Sequence, residues 1–379
     1  MKILAIDDQK LILLSLEKKL SDLGYDIVTA NTGKEGIALY DKLKPDLVIV
    51  DINLPKMSGL DIIKYIKSSA PSTAKVMVMS GNTEEDTVLK GFDLGIDDYM
   101  KKPVTLNEVV ARVKKLIGSP IVHTSSEDSS QVNGLIREKC IGVVIPCYNE
   151  EDRLLSDEFT NFVYANLGYH LCFVNDGSTD DTLKVLTELS KGREDYISVY
   201  NCEKNGGKAE AVRQGILHLA KNSELDYIGF LDADLSTDFA DFDDLVKTIE
   251  STNYKIVSGS RITRMGANIN KESTRQLISL TINFIIQKIL GMKFKDTQCG
   301  AKVIDREVIP ILFTNKFITR WLFDVEMFLR MKKHYGDSAK KMICEQPLKR
   351  WVHADGSKLS MKDSLKIVFQ LTKIASYYK

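Results

Sequence analysis

Along residues 1–118, short apolar runs rich in β-formers (KILAI, DIVTA, DLVIV, KVMVM and DDYM) alternate with stretches whose apolar residues recur at helical spacing. Continuous apolar runs suit strands covered on both faces, and their alternation with helices predicts a five-fold βα repeat around a parallel sheet. From Gly118 to Arg137 the text GSPIVHTSSEDSSQVNGLIR turns polar and Ser-rich without an apolar period, as a linker does. The alternation restarts near Cys140 with IGVVIP, HLCFVND, ISVYN and YIGFLDADL, separated by the helical segments DTLKVLTEL and KAEAVRQGILHLA. Beyond about residue 271 the pattern is mostly helical and amphipathic, in TRQLISLTINFIIQKIL and SMKDSLKIVFQLTKIASYY. Two α/β domains are expected, at 1–120 and 138–379, with a linker at 121–137. No short-period repeat is visible.

A chain of 379 residues exceeds one ordinary core, and 44% hydrophobic with 27% charged residues excludes disordered and collagen-like classes. A formal net charge of zero removes the general electrostatic case for a nucleic-acid partner. Charge is locally uneven: from Lys340 to Lys379 only Glu345, Asp355 and Asp363 oppose the lysines and arginines, which suits an anionic surface. The cysteines Cys140, Cys147, Cys172, Cys202, Cys299 and Cys344 form no CxxC pair, so reduced thiols and a cytosolic setting are expected. Asp7 and Asp8 interrupt the first apolar run too early for an export signal. Thr281, Asn283, Gln287 and Lys288 break the 277–290 segment, leaving it short of the roughly 20 apolar residues of a membrane span. Core burial and interfacial membrane contact both remain open for that helix, and the basic C-terminal run argues for a membrane only in its company.

Acidic residues at the carboxyl ends of neighbouring parallel strands converge where open α/β sheets bind ligands. Asp7 and Asp8 follow KILAI and Asp51 follows DLVIV, so three carboxylates repel unless a cation neutralises them, and Mg²⁺ prefers such oxygen ligands. A carboxylate beside Mg²⁺ can attack a phosphoryl group; Ser80, ending KVMVMS, and Lys102, before Pro103, supply a hydroxyl and an ammonium for its oxygens. Any one of these acids alone would read as a solvated loop residue. Together, in IDDQ, DINLPKMSGLD, MSGN and YMKKPV, they resemble the response-regulator receiver family across essentially all of 1–118. The resemblance implies a (βα)5 flavodoxin-like domain with Asp51 as phosphoacceptor. It also implies Mg²⁺ on the Asp8 and Asp51 carboxylates and the Asn53 backbone carbonyl, with Asp7 acting indirectly. Tyr99 falls at the family's aromatic switch, although an aromatic at a strand end can also be simple packing. Lys101 and Lys102 are adjacent, and only the spacing to Pro103 selects Lys102. The implied partner is a sensor histidine kinase or a small phosphodonor.

In the second domain one strand runs into Pro146, Cys147, Tyr148, Asn149 and Glu150, and the next ends at Asn175, Asp176, Gly177 and Ser178. A carboxylate such as Asp176 accepts N–H groups only, which suits a nucleotide base edge. YIGFL ends in Asp232, Ala233 and Asp234, where a divalent metal could bridge alternate carboxylates to a diphosphate. The bland alternative is that both acids merely cap the following segment. Asn205, Gly206, Gly207 and Lys208 open a helix, and a glycine turn there favours anions. The ordered set VVIPCYNEEDRL, VNDGSTDDT, NGGKAEAVRQGI, FLDADLST, GSR at 259–261, DTQCGAKV, RWLFDVEMF and DGSKLS resembles the family 2 glycosyltransferases of GT-A fold. Within them it is most like the dolichyl-phosphate glucosyltransferase and dolichyl-phosphate mannose synthase group, over 140 to about 360.

That resemblance implies a Rossmann-like domain with a mixed central sheet. It places Pro146, Tyr148, Glu150, Asp176, Lys208 and Ala233 around a nucleotide sugar, Asp232 and Asp234 on Mg²⁺ or Mn²⁺ and the diphosphate, and Arg261 on phosphate. Arg275 is the candidate for the acceptor phosphate, since a guanidinium fork matches phosphate. Gln298, Cys299, Trp321 and Asp324 shape the sugar and acceptor end, although Asp324 could instead cap a helix. Ser236 stands where the mannose synthases carry a further metal ligand, which leaves the third ligand open, and the membrane-spanning segment of many relatives is missing. The expected activity is transfer of a sugar, with UDP-glucose the first donor to try, onto a polyprenyl phosphate, with inversion and under control of Asp51 phosphorylation. The site would work on the inner face of the cytoplasmic membrane of a bacterium, with homodimerisation one route of control. Transfer to a polysaccharide or protein hydroxyl, and a catalytically silent nucleotide-sugar sensor, are the competing readings.

Overall fold

The computed structural model describes all residues except 69–72, 82–84, 121–134, 263–267, 270–272, 352–360 and 379. Chain contacts divide it into two compact units, Met1–Cys140 with Thr160–Tyr169, and Ile141–Phe159 with His170–Lys379. Most of the expected linker and the DGSKLS run lie outside the described residues, as does the side chain of Arg275.

The first sheet has β1 (Lys2–Ile6), β2 (Asp26–Ala30), β3 (Leu47–Val50), β4 (Lys75–Ser80) and β5 (Asp98–Lys101), all parallel in the order β2-β1-β3-β4-β5. The helices α1 (Lys10–Asp22), α2 (Gly33–Leu43), α3 (Gly59–Ser68), α4 (Glu85–Asp93) and α5 (Leu106–Ile117) connect or follow them, with a short β6 (Val104–Thr105) before α5. Strand periodicity explains the continuous apolar runs. Ile3, Ala5, Leu47, Ile49, Met77 and Met79 face a core with Leu16 and Val109, while Leu4, Ile6, Val48, Val50, Val76 and Val78 face the opposite core with Ile62, Ile63 and Ile66.

The larger sheet uses β7 (Leu135–Cys147), β8 (Asn166–Asn175), β9 (Ile197–Asn201), β10 (Tyr227–Leu231), β11 (Ile256–Ser260), β13 (Ala301–Asp305) and β14 (Ile343–Pro347). Their order is β14-β11-β13-β10-β7-β8-β9, and β12 (Asn268–Ile269) pairs with β15 (Arg350–Trp351). β10 runs parallel to β7, and β13 enters antiparallel between β10 and β11, so the sheet is mixed. The connecting helices are α6 (Ser156–Ala165), α7 (Thr182–Ser190), α8 (Lys208–Leu219), α9 (Phe239–Glu250), α10 (Ser273–Leu290), α11 (Ile309–Phe313), α12 (Phe323–Tyr335) and α13 (Met361–Tyr377). Residues 135–137, read as linker, belong to strand β7. α10 packs against α12 and α13; it buries Ile286 and Leu290 and leaves Phe284 exposed. Among the described residues no helix is long and apolar enough to cross a membrane.

Candidate active sites at two sets of strand ends

β1 and β3 are neighbours, so the residues beyond their carboxyl ends meet. One oxygen from each of Asp7, Asp8 and Asp51 lies within 4.8 Å of the others. Asp7 Oδ1 accepts the Gln9 N–H and Asp51 Oδ1 the Asn53 N–H, both at 2.9 Å, which fixes the two turns. The remaining oxygens accept from Lys102 Nζ, at 2.8 Å for Asp7 Oδ2 and 2.7 Å for Asp51 Oδ2. Lys102 is buried and Lys101 exposed, which resolves the choice between the adjacent lysines. The Lys102 N–H donates to the Ser80 carbonyl at 2.9 Å, joining the ends of β4 and β5, and the Ser80 side chain is buried. A Cβ on Gly59 would sit 2.1 Å from the Asp51 carbonyl oxygen, so only glycine fits beneath the aspartate. Tyr99 is half-buried and packs on the core that contains Ile62 and Val78.

Burial pushes the Asp7 carboxyl up to about 6; Lys102 opposes the rise and the negative charge of Asp51 adds to it. Burial also works against the Lys102 ammonium, but Asp7 and Asp51 outweigh it and hold its pKa above the ordinary lysine value. Three carboxylates around one ammonium leave surplus negative charge on oxygen donors, a set that fits Mg²⁺. A pH dependence follows for the metal-free protein. The folded Asp7 binds its proton more tightly than the unfolded one, with pKa about 6 against 3.8. Its contribution to stability is therefore complete below 3.8 and lost as pH rises through about 6. Urea unfolding in a chelator between pH 4 and 7 should show this loss, and Asp7→Asn should flatten it.

In the second site the turns after β7 and β8 are tied together. The Asp176 N–H donates to the Cys147 carbonyl at 2.9 Å, Asn149 Oδ1 accepts the Thr179 N–H at 2.9 Å, and the Glu150 N–H donates to Thr182 Oγ1 at 2.8 Å. Asn149 adopts φ 55° in this turn. Asp176 is buried and accepts the Gly206 and Gly207 N–H groups at 2.8 and 2.9 Å. The anion drawn to the glycine turn at the start of α8 is thus the protein's own carboxylate. Burial holds the Asp176 carboxyl above its ordinary value, with the two amides and Arg320 opposing. Tyr148 displays its ring at the rim, 46% exposed, and Pro146 is half-buried.

At the end of β10, buried Ala233 separates half-buried Asp232 from exposed Asp234. Asp234 Oδ1 accepts the Ser236 N–H at 2.9 Å, and Leu235 between them has φ 49°. The Asp232 N–H donates to the Gly300 carbonyl at 3.1 Å, and a Cβ on Gly300 would fall 1.9 Å from Asp232 Oδ2, so the glycine of DTQCG makes room for this carboxylate. Lys208 Nζ contacts Asp232 Oδ1. Burial, followed by the negative charges of Asp234, Asp180 and Asp232, raises the Glu150 carboxyl, and Arg153 at 3.0 Å opposes them. Glu150, Asp232 and Asp234 therefore share one electrostatic neighbourhood. Their oxygens do not meet as closely as those of Asp7, Asp8 and Asp51, the one group of three acids found that close among the described residues. Two carboxylates at a strand end are oxygen donors of the kind that could hold a divalent cation.

Other sequence candidates are engaged differently. The fork of Arg261 is held by Asp296, with Nε–Oδ2 at 2.7 Å and Nη2–Oδ1 at 2.8 Å, and Asp296 also accepts the Arg261 N–H at 2.9 Å. Asp324 does not cap α12; its buried carboxylate lies 2.6 Å from Lys302 Nζ, and Lys302 also donates to the Cys299 carbonyl at 2.7 Å. Gln298 is half-buried and its N–H donates to Asp296 at 3.3 Å, while Cys299 is buried. Glu326, fully buried, accepts the Ile318 and Thr319 N–H groups at 3.0 Å and thereby mounts the loop that carries Arg320 and Trp321. The stem of Arg320 lies against Gly207, where a Cβ would be 3.1 Å from Arg320 Cδ, and its carbonyl accepts the Ala209 N–H at 3.2 Å. Asp296, Lys302, Glu326 and Arg320 were not singled out from the sequence, although Asp296 stands in the DTQCG run and Arg320 in RWLFD.

Comparisons with known proteins assign each of the two domains to a family. The response regulator receiver domain family matches residues 3–114 and glycosyl transferase family 2 matches residues 142–312. Over 253 residues the chain is 32% identical to dolichyl-phosphate beta-glucosyltransferase ALG5A of Trichomonas vaginalis, covering 63% of this chain and 74% of that protein. It is 31% identical over 260 residues to the dolichyl-phosphate beta-glucosyltransferase of Saccharomyces cerevisiae, covering 63% of this chain and 75% of the yeast protein. Its first part is 39% identical over 127 residues to the alkaline phosphatase synthesis transcriptional regulatory protein PhoP of Bacillus subtilis, covering 33% of this chain and 52% of that one. With strand-end acids in both sheets and these likenesses together, the chain belongs to glycosyltransferase family 2, on the side of the dolichyl-phosphate glucosyltransferases, and carries a receiver domain ahead of its transferase domain.

Proposed function

We propose that this protein transfers glucose from a nucleotide diphosphate sugar to a polyprenyl phosphate with inversion, under the control of Asp51 phosphorylation. The observation that carries the reading is the rim formed by Asp232 and Asp234 at the end of β10, in the electrostatic reach of Glu150. The likeness to dolichyl-phosphate beta-glucosyltransferases supports the sugar and the acceptor. Asp176, already aligned by the Gly206 and Gly207 amides, offers its remaining lone pairs to N–H groups of the base, with Tyr148 exposed at the rim. Asp232 and Asp234 would hold Mg²⁺ or Mn²⁺, which supplies Lewis-acid neutralisation of the departing diphosphate. Arg261, following β11, is already paired with Asp296, just ahead of β13, and so braces that end of the sheet. No side-chain base is required, because a phosphate monoester with a second pKa of about 6 is already largely dianionic at neutral pH. Its oxygen attacks the anomeric carbon opposite the departing diphosphate, and Arg275 of α10 is proposed to receive it.

In the receiver, a phosphoryl group on Asp51 would draw Lys102 and Ser80 to its oxygens, and this must bias two states unequally to regulate anything. Work at the inner membrane surface is supported by α13, which exposes Val368, Phe369 and Tyr377 beside Lys373. A panel of nucleotide sugars with Mg²⁺ or Mn²⁺, offered a short polyprenyl phosphate and a sugar hydroxyl in parallel, tests the reading. Turnover with UDP-glucose and the phosphate acceptor alone supports it, and preference for the hydroxyl overturns it. Acetyl phosphate in the same assay tests control: an unchanged rate and oligomeric state in modified protein would reject it.

A further inference from the structure

Arg261, the arginine expected on phosphate, has its fork filled by Asp296, which leaves that task to another group. Arg320 is unspent. Among arginines whose side chains are described, only its guanidinium has neither a hydrogen bond nor an ion pair; every other one is engaged. Its backbone is nonetheless fixed. Buried Glu326 accepts the Thr319 N–H at 3.0 Å, Thr319 Oγ1 accepts the Leu322 N–H at 3.2 Å, and the Arg320 carbonyl accepts the Ala209 N–H of α8 at 3.2 Å. The stem is laid along Gly207: Arg320 Cβ, Cγ and Cδ lie 3.3, 3.3 and 3.1 Å from where a Cβ on that glycine would sit. Gly207 also locates the arginine in the site. Its N–H donates to Asp176 Oδ2 at 2.9 Å, and the next residue, Lys208, contacts Asp232. Arg320 therefore lies on the turn that joins the carboxylate proposed for the base to the one proposed for the metal. A nucleotide diphosphate reaching from Asp176 to Asp232 carries its ribose and first phosphate past this turn.

From this geometry, and resting on the nucleotide reading of Asp176 and Asp232, we propose that Arg320 is a donor-binding residue whose guanidinium grips the phosphate next to the ribose of the nucleotide diphosphate sugar. A planar fork matches two phosphate oxygens, and a stem already in place gives up little freedom when they arrive. Its charge also offsets the repulsion that Asp176, Asp232 and Asp234 exert on an incoming diphosphate.

Calorimetric titration of the full chain with UDP and with GDP, both in Mg²⁺, identifies the tighter nucleotide. Its monophosphate and its nucleoside are then compared with it, the nucleoside by competition. Arg320→Ala should weaken the diphosphate and the monophosphate by about 10–100-fold, the scale of a hydrogen bond to a charged group, and leave the nucleoside unchanged. Arg320→Lys should recover only part of the loss, because an ammonium keeps the charge without the fork. The side chain is exposed and bonds no other described residue, so both variants should fold as the parent does by circular dichroism. Unchanged diphosphate affinity in Arg320→Ala overturns the proposal. An equal loss for the nucleoside overturns it too, since the arginine would then serve the base or the turn. A parent chain that binds neither nucleotide, or nucleoside affinity untouched by Asp176→Ala, sinks the nucleotide reading itself, a result separate from the Arg320 arms.

Discussion

Replacing Asp234 by alanine is expected to reduce sugar transfer by about 10²–10³-fold, because it removes one of the two carboxylates proposed to hold the cation that neutralises the departing diphosphate. Folding should survive. Asp234 is exposed, and its one described side-chain contact is the Ser236 N–H at 2.9 Å, so the stability lost is about 1 kcal/mol. Asp232→Ala is the instructive contrast, because it also removes the contact partner of Lys208 at the start of α8. Initial rates with UDP-glucose and a short polyprenyl phosphate, taken beside thermal unfolding, separate the two substitutions. Full activity in Asp234→Ala would remove this carboxylate from the mechanism.

Lys102→Met is expected to destabilise the receiver by about 3–5 kcal/mol, the usual consequence of leaving buried charge without its partner. Lys102 has 0% side-chain exposure and stands between Asp7 at 2% and Asp51 at 7%, so methionine would leave two carboxylates facing each other away from water. One of them then takes up a proton at neutral pH. The chain's tryptophans, Trp321 and Trp351, both lie outside the receiver, so its unfolding is followed by hydrogen exchange of β1, β3 and β4. Adding Asp7→Asn should recover part of the loss, because it removes one of the repelling charges. If Lys102→Met unfolds like the parent chain, the buried triad is not what holds these strand ends together.

Both candidate sites were legible where their chemistry sits at strand ends. Asp7, Asp51 and Lys102, and likewise Asp176, Asp232 and Asp234, each follow an apolar run that reads as a buried strand, and the parallel order then brings their ends together. What stayed hidden depends on pairing across distance. Asp296 clamps Arg261 from 35 positions away, and Lys302 reaches Asp324 only because β13 enters the sheet antiparallel beside β10. The run AKVID gives no sign of its direction, and its lysine reads as solvent-facing rather than wholly buried. Arg261 was read toward phosphate from the family resemblance; nothing local announces that a carboxylate already fills its fork. The glycine turn before α8 looked ready for an external anion for the same reason.

The mounting of Trp321 gives the molecule a built-in optical probe. Its indole is 67% exposed, yet the loop beneath it is bolted down by Glu326 through the Ile318 and Thr319 amides. A ring carried on an anchored loop reports a change in its surroundings when a ligand binds beside it. Emission wavelength and quenching by iodide, measured in a chain whose Trp351 is replaced by phenylalanine, can therefore report binding near this loop without any label.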